Sequence, residues 1–204
     1  MNAPWHTRLY SHVAAMLLVA VTASASASAQ PGTIHIVIET SAGVIDADLD
    51  SLHAPISVAN FLRYVDAHHY DGGQFHRAVT PDNQPNNAVK IEVIQGGVAS
   101  EFSRRGWPAI ELERTNATGL NHADGALSMA RAGPNTATSD FFITIGPQPA
   151  LDFAGKRNAD GQGFAVFGHI TRGGDVVRKI QHSAVVDQKL TPPISITRIA
   201  RQPK

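Results

Sequence analysis

What most limits the fold of this chain is how soon each of its apolar stretches is cut off. From Thr33 onward, glycines and turn clusters interrupt every periodic segment, so the chain must be built from many short elements. Ile34, Ile36 and Ile38 alternate with His35, Val37 and Glu39. Ser41-Ala42-Gly43 then breaks the run before Val44-Ile45, which reads as a two-stranded hairpin. Behind Pro55, Val58, Phe61, Leu62 and Val65 recur at helical spacing and predict a helix from Ile56 to Ala67. Asp71-Gly72-Gly73 turns the chain into a strand, Gln74 to Val79, and the polar run Thr80 to Asn87 is loop. A second apolar strand is expected from Val89 to Gln95, closed by Gly96-Gly97. Ala126 to Ala130, Phe141 to Ile145, Phe164 to Ile170 and Ile194 to Ile199 are further strands, and Val176, Val177 and Ile180 mark a second helix. Many short strands with two flanking helices favour a mainly β fold, a closed antiparallel barrel, over a doubly wound sheet.

The first 29 residues read as a leader. A polar start with His6 and Arg8 leads into the apolar run Val13 to Val21, and an Ala/Ser tract ends in Ala27-Ser28-Ala29. That is the order of a secretory signal peptide, with cleavage after Ala29. The apolar run is too short to span a bilayer, which takes around 20 apolar residues, so no stable membrane anchor is expected. The 204 residues less this 29-residue leader leave 175, a single domain over 30–204. The 17 basic residues balance 17 acidic ones without any basic block, which disfavours nucleic acid as a partner. There is no cysteine, hence neither a disulfide nor a lipidation site after the apolar run. Ten histidines raise a metalloprotein reading, with His53 and His68-His69 as candidates. No H-E-x-x-H spacing supports it, and adjacent histidines on a helix point different ways, so no metal or other cofactor is expected.

Candidate chemistry lies in three segments: Phe75-His76-Arg77, Gln95-Gly96-Gly97, and GALSMARAGPNTATSDFFITIG from Gly125 to Gly146. They supply one arginine, one side-chain amide and several apolar rings, with no nucleophile beside an evident base and no phosphate-binding loop. Such a set suits a reaction in which a bond rotates and none is broken. In their order these segments resemble the cyclophilin family of peptidyl-prolyl cis-trans isomerases, over about Gly32 to Arg198. The resemblance implies a closed eight-stranded antiparallel β-barrel capped by two α-helices, one at each end. It also implies catalysis of X-Pro rotation, a barrier of about 18–20 kcal/mol. The twisted amide loses conjugation and its nitrogen becomes able to accept a hydrogen bond. A fixed donor aimed there binds the twisted state better than either planar one, and that difference is catalysis.

By the resemblance Arg77 is that donor, and its planar, permanently charged fork suits the task better than a lysine would. Gln95 holds the substrate backbone and helps orient Arg77. Substrate contacts fall to Phe75, Val93, Ala130, Phe142, Leu151 and Phe164, which would make an apolar slot for the proline ring. His76 should face away from Arg77 and have a structural role. The chain also departs from the family pattern. Glu92 aligns with a hydrophobic pocket residue, with Ile91 or Val93 as the alternative filler of the slot; the connection from Arg77 to Gln95 is longer than usual, and Asp140 stands where glutamine is common. Ala150 replaces an aromatic that helps hold cyclosporin, so weak affinity for that drug is expected. Glu92 and the longer loop keep a second class open: a non-catalytic proline-segment binding module or chaperone on the same barrel. Partners implied are X-Pro segments of unfolded or loop polypeptides, met by a monomer. Leader and pattern together point to the periplasmic bacterial members.

Overall fold

A computed structural model of the chain describes residues 32–103 and 106–202, together with Met1. Met1 apart, the expected leader lies outside the described residues. The strands are β1 (Thr33–Thr40), β2 (Gly43–Asp50), β3 (Gln74–Val79), β4 (Val93–Gly97), β5 (Ala126–Met129), β6 (Phe141–Thr144), β7 (Ala165–Arg172), β8 (Val185–Val186) and β9 (Lys189–Arg201). Eight of them form an antiparallel ring in the order β1-β2-β7-β5-β6-β4-β3-β9, and the β1–β9 pairing closes it. The two-residue β8 pairs with β9 as a small ribbon at the side of the ring. Helix α1 (Pro55–Asp66) packs on β2, β7 and β9, and α3 (Gly174–Gln181) on β2, β3 and β4. A single extra turn, α2 (Thr115–Thr118), was not foreseen; it stops at Gly119, whose left-handed backbone (φ 75°) suits glycine. Among the described residues, no helix is long and apolar enough to cross a membrane.

Closure follows from the side-chain alternation. Ile36, Ile38, Ile45, Leu49, Ile94 and Leu127 point inward and are almost wholly buried. Phe61 comes down from α1 onto this interior, with its ring 5.1 Å from Tyr70, 5.4 Å from Phe141 and 5.1 Å from Phe167. The first turn of α1 has no acidic residue and no side-chain cap of its own. Glu113, far along the chain, supplies the anion instead: Ile56 N–H donates to one carboxylate oxygen (2.9 Å) and Ser57 N–H to the other (2.7 Å). An acid at that end also opposes the helix dipole.

One strand is displaced from its expected place. The second apolar strand runs over Val93–Gly97, not Val89–Gln95, so Gly96-Gly97 belong to the ladder and do not end it. The backbone ahead of Val93 is drawn off by side chains. Gln84 Nε2 donates to Ile91 O (2.7 Å) and Arg157 Nη1 donates to Val89 O (2.6 Å). The glycines are needed where they sit, because a Cβ on Gly97 would come within 2.3 Å of Asp140 Oδ1.

Candidate active site

The outer faces of β3, β4 and β6, with the loops after β5 and β6, enclose a cleft of about 500 Å³. Its floor is apolar. Val79, Ile91, Val93, Phe142 and Leu151 form a cluster separate from the barrel interior, with Ala130 and Phe164 packed against it. The neighbours Phe141 and Phe142 divide the work: alternation sends Phe141 into the barrel and Phe142 into the cleft. Phe164 stands edge-on to Phe142 at 5.3 Å and lies under the Arg131 guanidinium at 4.9 Å. Arg131 in turn grips Asp160 through both carboxylate oxygens, at 2.8 and 3.0 Å, and Gly163 O at 2.7 Å. These hydrogen bonds hold the Asp160 carboxyl at about 2, so it stays ionised at any physiological pH.

Arg77 lines one side of this cleft and is half-buried. A bulge in β3 puts it there, since the register with β4 slips between Phe75 and Arg77. In a regular strand these two side chains would share a face. With His76 as the extra residue, Phe75 turns inward and Arg77 outward. The guanidinium meets only neutral groups: Nε and Nη2 donate to Gln188 Oε1 at 3.0 and 2.7 Å, and Nη1 donates to Gln95 Oε1 at 3.1 Å. Gln95 Nε2 donates onward to Asp140 Oδ2 (3.2 Å), which fixes which way its amide faces. Gln188 is anchored by its own Nε2 to Asn83 O (2.8 Å). Among the described residues no carboxylate lies within ion-pair distance of Arg77. Burial, and secondarily the charge of Arg157, lower its pKa from the ordinary guanidinium value, yet an arginine remains protonated.

Of the residues singled out from sequence, Arg77, Gln95, Val93, Ala130, Phe142, Leu151 and Phe164 all line the one cleft. Phe75 does not. It is fully buried inside the barrel, 5.7 Å from the Phe141 ring, so the expected substrate contact is corrected to a core position. His76 shares the outward side with Arg77, 3.7 Å from Asp140, which the bulge again explains. Of the alternatives for the slot, Glu92 is the one that does not line it. It accepts a bond from Gln181 Nε2 on α3 (2.9 Å), leaving Ile91 and Val93 to fill the slot.

Three features were not read from sequence. Gln188 reaches Arg77 from 111 residues away. Its signal was Asp187-Gln188 between Val186 and Lys189, a two-residue hairpin turn with both backbones left-handed (φ 49° and 69°). Arg157 joins the cleft wall from the loop after β6. His122, stacked flat on Phe142 (5.8 Å between centroids), bonds Asp152 Oδ1 at 2.7 Å and Ser128 Oγ at 3.0 Å. This has the order of a hydrolytic triad, but Ser128 is 0 % exposed and no substrate can reach it. Instead, the string of bonds braces the Phe142 ring from behind.

The outside of the closed barrel thus carries a guanidinium beside an apolar slot. Residues 35–201 match the family described as cyclophilin type peptidyl-prolyl cis-trans isomerase/CLD. Peptidyl-prolyl cis-trans isomerase A of Dickeya dadantii is 36% identical over 169 residues, covering 82% of this chain and 81% of that one. A Streptomyces antibioticus peptidyl-prolyl cis-trans isomerase is 34% identical over 145 residues, 71% of this chain and 81% of its own. The crystal structure of a Cryptosporidium parvum cyclophilin type isomerase superposes with a TM-score of 0.68 at 22% identity, over 84% of this chain and 99% of that one. A related Cryptosporidium structure, determined in the presence of the dipeptide Ala-Pro, has a TM-score of 0.67. The chain belongs to the cyclophilin-type peptidyl-prolyl cis-trans isomerase family. It is an isomerase, and the expected eight-stranded barrel is its fold.

Proposed function

We propose that Arg77 is the catalytic donor and Gln95 its orienting partner, acting on X-Pro segments of exported polypeptides as they fold. One observation carries the assignment of Arg77: its fork lines the same cleft as the apolar slot and is held by amides alone, so some of its N–H groups remain to meet substrate. A proline ring seated over Phe142 and Leu151 brings its amide nitrogen toward that fork. As the amide twists, the nitrogen becomes an acceptor, and a guanidinium already oriented by Gln95 and Gln188 need not reorganise to donate to it.

Gln188 is a positioning residue in this scheme. Q188A is expected to lower kcat about tenfold with KM little changed, because small misplacement of a reacting group costs up to about 10²-fold. Steady-state kinetics on an X-Pro peptide check this. A lower melting temperature with kcat intact would instead mark Gln188 as a hairpin residue.

The leader read over residues 1–29 supports a periplasmic site of action. In a Gram-negative host, the mass of protein recovered from the periplasm should correspond to a chain starting at Gln30. That same material should accelerate a coupled proline-isomerisation assay. Retention of residues 1–29 by protein confined to the cytoplasm would overturn the export reading without touching the catalytic one.

A further inference from the structure

The cleft is electrically lopsided. One wall runs from Ile91, just ahead of β4, to Gln95 within it. Asp140 stands at the Gln95 end, bonded to the Gln95 amide and beside Gly97. Arg157 stands at the Ile91 end, tied to the Val89 carbonyl and half-buried in the lining. The three arginines of the cleft differ in how they are matched. Arg131 is neutralised by Asp160. Arg77 meets two glutamines, and Arg157 meets a backbone carbonyl. Among the described residues, neither of the latter two has a carboxylate within ion-pair distance. Burial first and the charge of Arg157 second lower the pKa of Arg77, and burial lowers that of Arg157. Uncompensated like charge in a concave, partly dry site attracts the opposite charge from a ligand.

We propose that the cleft selects X-Pro segments carrying an acidic residue close to the proline, and that Arg157 is the specificity-determining residue. This rests on the proline-turning site described above and adds a substrate class to it. The Arg157 side chain reaches the lining from the loop between β6 and β7, so it can pair with a Glu or Asp flanking the proline without occupying the slot itself. Arg77 stays with the amide nitrogen. The pairing is partly solvated, so its effect is modest and salt-sensitive.

The test uses the purified protein and peptides bearing Glu, Ala or Lys at the second residue before, or the second residue after, a fixed Ala-Pro. Both kcat/KM and binding affinity are measured at low and at high salt. Glu peptides at one of the two positions should exceed their Lys counterparts by about fivefold at low salt, the size of one exposed ion pair. High salt should shrink that ratio. R157K should keep the preference, R157Q abolish it and R157E reverse it. Equal rates on Glu, Ala and Lys peptides at both positions, with the Ala peptide turned over, overturn the selection and leave the isomerase reading standing. An R157Q protein slower on every peptide alike also overturns it, assigning Arg157 to the support of the Val89 loop. Failure to turn over even the Ala peptide would strike the isomerase reading instead, and the affinities would still report the preference.

Discussion

Replacing Arg77 by alanine is expected to cut kcat/KM on X-Pro peptides by about 10²–10³, the loss seen when a preorganised transition-state donor is removed. In energy that is about 2.7–4 kcal/mol of selective binding to the twisted amide, at 1.36 kcal/mol per factor of ten. The size follows from how the guanidinium is held. Gln188 takes Nε and Nη2, Gln95 takes Nη1, and no carboxylate among the described residues competes with the substrate. R77K should recover little, because a single ammonium cannot hold both amides in place and still aim at the nitrogen. Stability should change little, since Arg77 is partly desolvated without a charged partner and its removal uncovers no buried ion. A coupled isomerisation assay with thermal unfolding of the same samples gives both readouts. An R77A protein as fast as wild type would exclude Arg77 as the donor.

F61A should be the most damaging change outside the cleft. Phe61 is wholly buried and its ring meets Tyr70, Phe141 and Phe167, so truncation leaves a hole that three rigid rings cannot close. Phe→Ala in such a setting costs about 3–5 kcal/mol. For a domain of this size each kcal/mol lowers the melting point by about 2–4 °C, hence about 6–20 °C in all. Without disulfides, nothing covalent offsets the loss. Calorimetry or circular dichroism on wild type and variant measures it, and a shift under about 3 °C would mean that the rings repack.

Most of the barrel was legible because local alternation and turn residues agree with the ring that they build. The hairpin of β1 and β2, the helix behind Pro55 and strand β3 from Gln74 to Val79 fall where the pattern puts them. The errors arise where side-chain contacts or a local irregularity override the alternating pattern. Val89 and Ile91 look like strand, yet Arg157 and Gln84 bind their carbonyls and keep them out of the ladder. Phe75 and Arg77 look like residues of one face until the β3 bulge separates them. The choice among Glu92, Ile91 and Val93 for the slot could not be made locally, because it is Gln181 on α3 that holds Glu92. Nothing near Arg77 announces Gln188, and nothing near Pro55 announces Glu113, because each pairing exists only after the ring has closed. The slot was more readable, since Phe142 and Leu151 stand in segments that resemble the family's.

The seam where β1 meets β9 has an engineering consequence. Ile36 lies opposite Arg201, and Gln202 N–H donates to His35 O at 3.0 Å, so the two ends of the folded domain are neighbours. A short linker can therefore splice them, and the polypeptide can be reopened at another loop as a circular permutant. The same adjacency lets a tether or fusion partner be attached at either end from one place on the molecule, on the strand pair that takes no part in lining the mouth.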